Sequence, residues 1–233
     1  MLDIDRAIDL ILDQSDGRYS YVVTPNVAHI VKAHEEPDVL LPVYRGAWLS
    51  LCDSQIVRAL AALSGIKLPL VTGSDLVAVL LTRHNARSAQ QQSKLFLVVG
   101  PDAAVETVLR ERYPNLAIEV MPAPPKLSQR PDSRRQLARA CAERPWDILL
   151  LCVGSPAQEL VAQLIADMER RSGVALCVGA SIDFLTGTRA RAPRWLQCIG
   201  FEWAYRLVHE PRRLWRRYLV EGPRIFRIYL ANR

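Results

Sequence analysis

The chain has 233 residues, half of them hydrophobic and 23% charged, which allows one substantial buried core and excludes a disordered, collagen-like or coiled-coil polypeptide. Its longest apolar runs, such as 148–153, are far shorter than the roughly 18 residues of a membrane-spanning helix. The net charge of +6 is uneven: residues 189–233 hold eleven arginines, no lysine and three acids, for +8, which leaves 1–188 at −2.

In chain order, an acidic start (Asp3, Asp5, Asp9) lacks the basic region of a signal peptide. Residues 20–24 (SYVVT) read as a strand ending at Pro25–Asn26, and 27–35 continue with apolar positions on one helix face. A second strand over 47–51 ends at Cys52–Asp53–Ser54 and leads into helical spacing through Ile56, Val57, Leu60 and Leu63. Residues 75–83 predict a helix capped by Ser74 or Asp75, after which the polar stretch 85–93 breaks the pattern. Strand 95–99, the turn Gly100–Pro101–Asp102, a helix to about Tyr113 and strand 117–121 follow. The proline-rich 122–131 reads as an irregular loop. Beyond it come a helix over 133–143, an apolar strand over 147–153, the turn Gly154–Ser155–Pro156, a helix to Arg170 and strand 174–178.

Apolar strands alternating with helices predict an α/β, Rossmann-like, mostly parallel sheet with helices on both faces, and ligands at the carboxyl ends of its strands. Residues 1–188 form this core, and 189–233 form an Arg-rich helical C-terminal appendage. At 100° per residue, Leu214, Trp215, Tyr218 and Leu219 share one side of Pro211–Val220, with Arg212, Arg213, Arg216 and Arg217 opposite. Arginine in this quantity suits a phosphate-bearing or anionic membrane partner; the alternatives are a solvated basic face and an apolar stripe packed on the body. Five cysteines (52, 141, 152, 177, 198) without a CxxC pair argue against a disulfide scaffold or zinc ribbon and for a reducing cytoplasm.

Candidate chemistry lies at the strand ends: Thr24 and Asn26, Asp53, Thr72 to Asp75, Gly100, and Gly154 through Glu159. Each has a structural alternative. Thr24, Asp53 and Ser74 are good helix caps, Gly100 and Gly154 suit tight turns, and Gln158 and Glu159 complement a helix dipole. No dinucleotide, P-loop, zinc-protease or nucleophile-elbow motif is present, and the four histidines lack metal-site spacing.

The motifs TPNVAHIV (24–31), LCDSQIV (51–57), VTGSDL (71–76), FLVVG (96–100), VGSPAQE (153–159), VGASIDFLTG (178–187) and the long run 191–219 occur in an order that resembles the WecG/TagA/CpsF glycosyltransferases, glycosyltransferase family 26. The resemblance implies a metal-independent, inverting enzyme with no cofactor. Such an enzyme moves a sugar from a UDP-sugar to a polyprenyl-diphosphate-linked saccharide, in the cytoplasm, peripheral on the inner face of the cell membrane. It implies Asp53 as general base and Thr24 and Asn26 in the same pocket. Gly154, Pro156, Gln158 and Glu159 fall on the nucleotide side. Thr72, Gly73, Asp75, Gly100 and Asp183 lie within the matched motifs. Arg191, Arg206, Arg212, Arg213 and Arg217 are implied as diphosphate or headgroup contacts, in an appendage that closes over the site. Cys52-Asp53-Ser54 and Leu70 stand where the family has Pro-Asp-Gly and Arg. A non-catalytic nucleotide-sugar-binding or assembly protein is the alternative function. No nucleic-acid motif supports an RNA partner, and homo-oligomerisation is left open.

Overall fold

The computed structural model describes residues 2–88, 93–168, 170, 172–193, 195–196 and 200–232, without the side chain of Arg213. Six parallel strands form one sheet in the order β2-β1-β6-β5-β3-β4. They are β1 (Ser20–Val23), β2 (Leu49–Ser50), β3 (Leu95–Val99), β4 (Ala117–Met121), β5 (Ile148–Leu151) and β6 (Val174–Cys177). Period-two alternation splits them between two cores. Val22, Phe96, Val98, Leu150 and Leu176 face α1 (Ile4–Gln14), α5 (Gly73–Ser88), α6 (Ala104–Arg112) and α9 (Ser181–Leu185). Val23, Leu97, Val99, Leu151 and Cys177 face α3 (Pro37–Gly46), α7 (Pro131–Ala142) and α8 (Ala157–Asp167). Each fully buried aliphatic side chain adds roughly 1.5–3 kcal/mol, which is why these strands read as continuous apolar runs.

Parallel pairing puts every strand's carboxyl end on one edge. The chain leaves β3 outward to β4 but leaves β5 inward to β6, so connections diverge between Gly100 and Gly154, where such sheets open a crevice. The two loops lie close together: a Cβ on Gly100, whose φ is +120°, would sit 2.8 Å from the Cys152 carbonyl oxygen. α2 (Val27–Glu35) and α4 (Gln55–Leu63) start at this edge, one after β1 and the other after β2.

Several boundaries differ from expectation. α1 and α3 were not anticipated. α1 is capped by Asp3 and buries Ala7, Ile8 and Ile11, while α3 starts at Pro37 and tolerates Pro42 within it. α5 runs from Gly73 to Ser88, through part of the polar stretch, because Leu80, Leu81 and His84 are buried on its inner face. Its cap is neither Ser74 nor Asp75 but Thr72, whose Oγ1 accepts from the Asp75 amide at 3.1 Å and donates to its carboxylate at 2.7 Å. α7 begins two residues early, at Pro131, and α8 ends at Asp167.

The appendage departs from a single amphipathic helix. α10 (Glu202–His209) and α11 (Pro211–Trp215) are followed by a π-helical segment, Arg216–Glu221, and then α12 (Arg224–Ala231). The residues expected to share one apolar face of Pro211–Val220 are not buried as a unit. Leu214 is buried, whereas Trp215 and Leu219 are 51% and 55% exposed. Ile225 is buried, and α12 is held to the body by an Arg224–Glu35 ion pair and a Ser64–Tyr229 hydroxyl bond of 3.0 Å. No described helix is long and apolar enough to cross a membrane.

Candidate active site

Three described helices that start at the carboxyl edge have polar caps; two of these caps, Asn26 and Thr72, are themselves expected site residues, and the third is Ser54, next to Asp53. Asn26 caps α2, its Oδ1 accepting from the Ala28 amide at 3.1 Å. Ser54 caps α4 through the Val57 amide at 3.3 Å, and Thr72 caps α5. Asp53 is therefore free of the capping role its position suggested. Its amide donates to the Pro25 carbonyl at 3.1 Å, which ties the ends of β1 and β2 together. Ser54 has extended backbone (φ −159°, ψ 123°), so nothing at that position requires glycine. Leu70 pairs in a parallel bridge with Cys52 and helps hold the Asp53 loop.

The Asp53 carboxyl is half-buried among charges from two helices, α10 and α5. Burial pushes its pKa up from 3.8 to about 7, Arg206 opposes the rise, Glu202 adds to it, the Gly73 amide favours the ionised form and Asp75 disfavours it. A carboxylate that titrates near neutrality is matched to proton abstraction at physiological pH. Thr24, also at this edge, donates from Oγ1 to the Cys177 carbonyl at 2.9 Å. Gly73 lies between them and Ser181: an added Cβ would meet Thr24 Oγ1 at 3.2 Å and Ser181 Oγ at 3.4 Å.

A second polar group lies under the β5–α8 turn, past Gly154 and the cis Ser155–Pro156 peptide. Gln158 accepts from the Gly179 amide at 2.9 Å and donates to Glu159 Oε1 at 2.9 Å. Glu159 is fully buried, and its pKa is raised by that burial. His29 of α2 lies 4.0 Å from Glu159. Burial, reinforced by the Arg217 charge, lowers the His29 pKa to about 3, so it is neutral; its Nδ1 has no hydrogen-bond partner. An apolar groove of about 320 Å³ runs from His29 and Pro25 past Tyr44 to Ile228 of α12.

Of the arginines, Arg191, Arg206 and Arg217 come to this edge. Arg191 pairs with Asp75 at 2.7 Å, Arg206 pairs with Glu202 and lies 4.7 Å over the Phe184 ring, and Arg217 donates to Asn26 Oδ1 at 3.3 Å. Each keeps a buried Nε without a hydrogen-bond partner, an unused donor suited to an anion. Arg212 is exposed and is not brought in; the side chain of Arg213 lies outside the described residues. Asp183 is held by Arg189 at 3.1 Å. Gly100 is packed against Cys152 rather than open to a ligand. Among the described residues, no three His, Cys, Asp or Glu side chains are grouped to hold a metal ion. His29, Tyr44 and Glu202 were missed from sequence. Only Glu202 carried a signal, its four-residue spacing from Arg206.

Residues 1–233, the whole chain, match the glycosyl transferase WecG/TagA/CpsF family, and the protein belongs to that family. It is thus a glycosyltransferase of cell-surface polysaccharide synthesis, a family whose substrates are in general sugar nucleotides and lipid-linked acceptors.

Proposed function

We propose that the protein transfers a sugar, with inversion, from a UDP-sugar to the saccharide of a polyprenyl-diphosphate-linked acceptor, without metal or cofactor. Asp53 is the general base. Its carboxylate takes the proton of the acceptor hydroxyl as that oxygen bonds to the anomeric carbon, while the bond from that carbon to the UDP oxygen breaks on the opposite face. Arg206 and Arg217, and Arg191 once released from Asp75, compensate the charge developing on the diphosphate. The Gly154–Glu159 turn sits about three strand spacings from β2, roughly 15 Å along the sheet edge, a span suited to a nucleotide sugar laid across it. What carries this reading is the position of the Asp53 carboxyl, which burial raises to about 7, at the edge reached by Arg191, Arg206 and Arg217, whose Nε atoms have no hydrogen-bond partner.

In this reading, residues 189–233 are a docking appendage on the catalytic core of 1–188. Exposed Trp215, Leu219, Phe226 and Leu230 stand among exposed Arg212, Arg216 and Arg227. Such a surface favours adsorption to an anionic bilayer at about 1 kcal/mol per basic residue, which would make the enzyme peripheral on the inner face of the membrane, where its acceptor resides. The test is UDP release from a panel of UDP-sugars with a lipid-diphosphate saccharide, in EDTA. Acceptor-dependent release from one donor is expected. Donor binding without release from any of them would favour a non-catalytic role.

A further inference from the structure

The first turn of α10 presents Glu202, and Arg206 follows one turn later; the two side chains form an ion pair. Arg206 is close enough to Asp53 to act on its charge, yet its ion-pair partner is Glu202, and no ion pair joins it to Asp53 among the described residues. The Phe184 ring lies against one face of the guanidinium, and Nε stays buried and unused. One cation thus has two carboxylates within its field. A direct pair with Asp53 would lower that carboxyl's proton affinity and take up donors that an anionic leaving group needs. The pair with Glu202 prevents both.

We propose that Glu202 is a positioning residue for the transfer reaction: by binding Arg206 it keeps the guanidinium off Asp53 and leaves the Nε edge free for the departing phosphate. The proposal rests on the transferase reading above and adds a role for Glu202 that acts through two other residues. The remaining groups around Asp53 are Asp75 of α5, itself paired with Arg191, and the Gly73 amide; Arg58 of α4 lies by the neighbouring Cys52. Glu202 also raises the Asp53 proton affinity by its own charge, a contribution that Glu202→Gln removes in any background, so the difference between backgrounds with and without Arg206 is what reports the pair.

The experiment uses the full chain with two readouts, carboxyl-carbon NMR titration of Asp53 and the pH profile of kcat/KM for UDP release. In Glu202→Gln the freed guanidinium turns to Asp53, and both the titration and the acid limb move down by about one unit or more. In an Arg206→Gln background the same change has no cation to redirect, and the shift falls to less than half of that. Glu202→Asp keeps a carboxylate and restores most of the wild-type titration. Equal shifts in the two backgrounds, or no shift in either, overturn the proposal. The NMR readout needs no turnover, so a protein that releases no UDP would fail the transferase reading without obscuring this result.

Discussion

Replacing Asp53 by Asn should move activity and stability in opposite directions. Burial raises the Asp53 pKa from 3.8 to about 7, a shift of about three units, or about 4 kcal/mol in a fully insulated site. The carboxyl is half-buried, and contact with water reduces this to about 1–2 kcal/mol. Because the folded-state pKa is the higher one, the wild-type protein has its full Asp53-linked stability below about pH 4 and loses it progressively up to about pH 7. Asparagine does not titrate. The variant should therefore match wild type at pH 4 and melt about 2–8 °C higher at pH 8, at 2–4 °C per kcal/mol for a chain of this length. Turnover, by contrast, should fall by about 10²–10⁴-fold, and the limb of kcat/KM near pH 7 should disappear. Calorimetry across pH 4–8 and UDP release on the same samples measure both effects. Near-normal turnover, or a melting difference that does not change with pH, would refute the assignment of Asp53 as a buried base.

Three further outcomes follow from other parts of the molecule. Arg170 donates to the carbonyls of Ala142, Arg144, Trp146 and Ser172 and lies 3.7 Å over the Trp146 ring; Arg170→Ala should cost about 2–4 kcal/mol in denaturant titrations, with kcat per folded molecule unchanged. Gly100→Ala combines a φ of +120° with a Cβ 2.8 Å from the Cys152 carbonyl, and should lower stability by about 2–4 kcal/mol in the same titration. Trp215→Ala together with Leu219→Ala should reduce flotation with anionic vesicles several-fold at low salt while leaving the melting temperature near wild type, since both side chains are more than half exposed; equal flotation would remove this segment from the membrane surface.

The central strands were legible because a buried parallel strand must be apolar on both faces, and 95–99 matches β3 residue for residue; the edge strand β4, which carries Glu119, also matches its expected range, 117–121. α1 and α3 were missed although each opens on a usable signal, an Asp3 cap and Pro37 in the first turn: the acidic N-terminal segment conceals the Ala7–Ile8–Ile11 stripe, and Pro42 reads as a breaker. The appendage was read as helical and Arg-rich, and it is. What a helical wheel over Pro211–Val220 could not supply was which part of the apolar side meets the body: Leu214 is buried, while Trp215 and Leu219 stay exposed.

What the residue order determined by itself was the family, the α/β layering, the strand ends as the place for chemistry, and the concentration of arginine after residue 188. These are local or compositional properties, set by periodicity, motif and charge. Only the tertiary structure decided which residue caps each helix, and so left Asp53 out of the α4 cap. It also brought Glu159 against His29 across 130 residues of chain and set the Glu202–Arg206 pair, already spaced for one helix face, within reach of the Asp53 charge. Proton affinity and contacts between distant segments depend on burial and on distances through space, and neither is written in the spacing of residues along a chain.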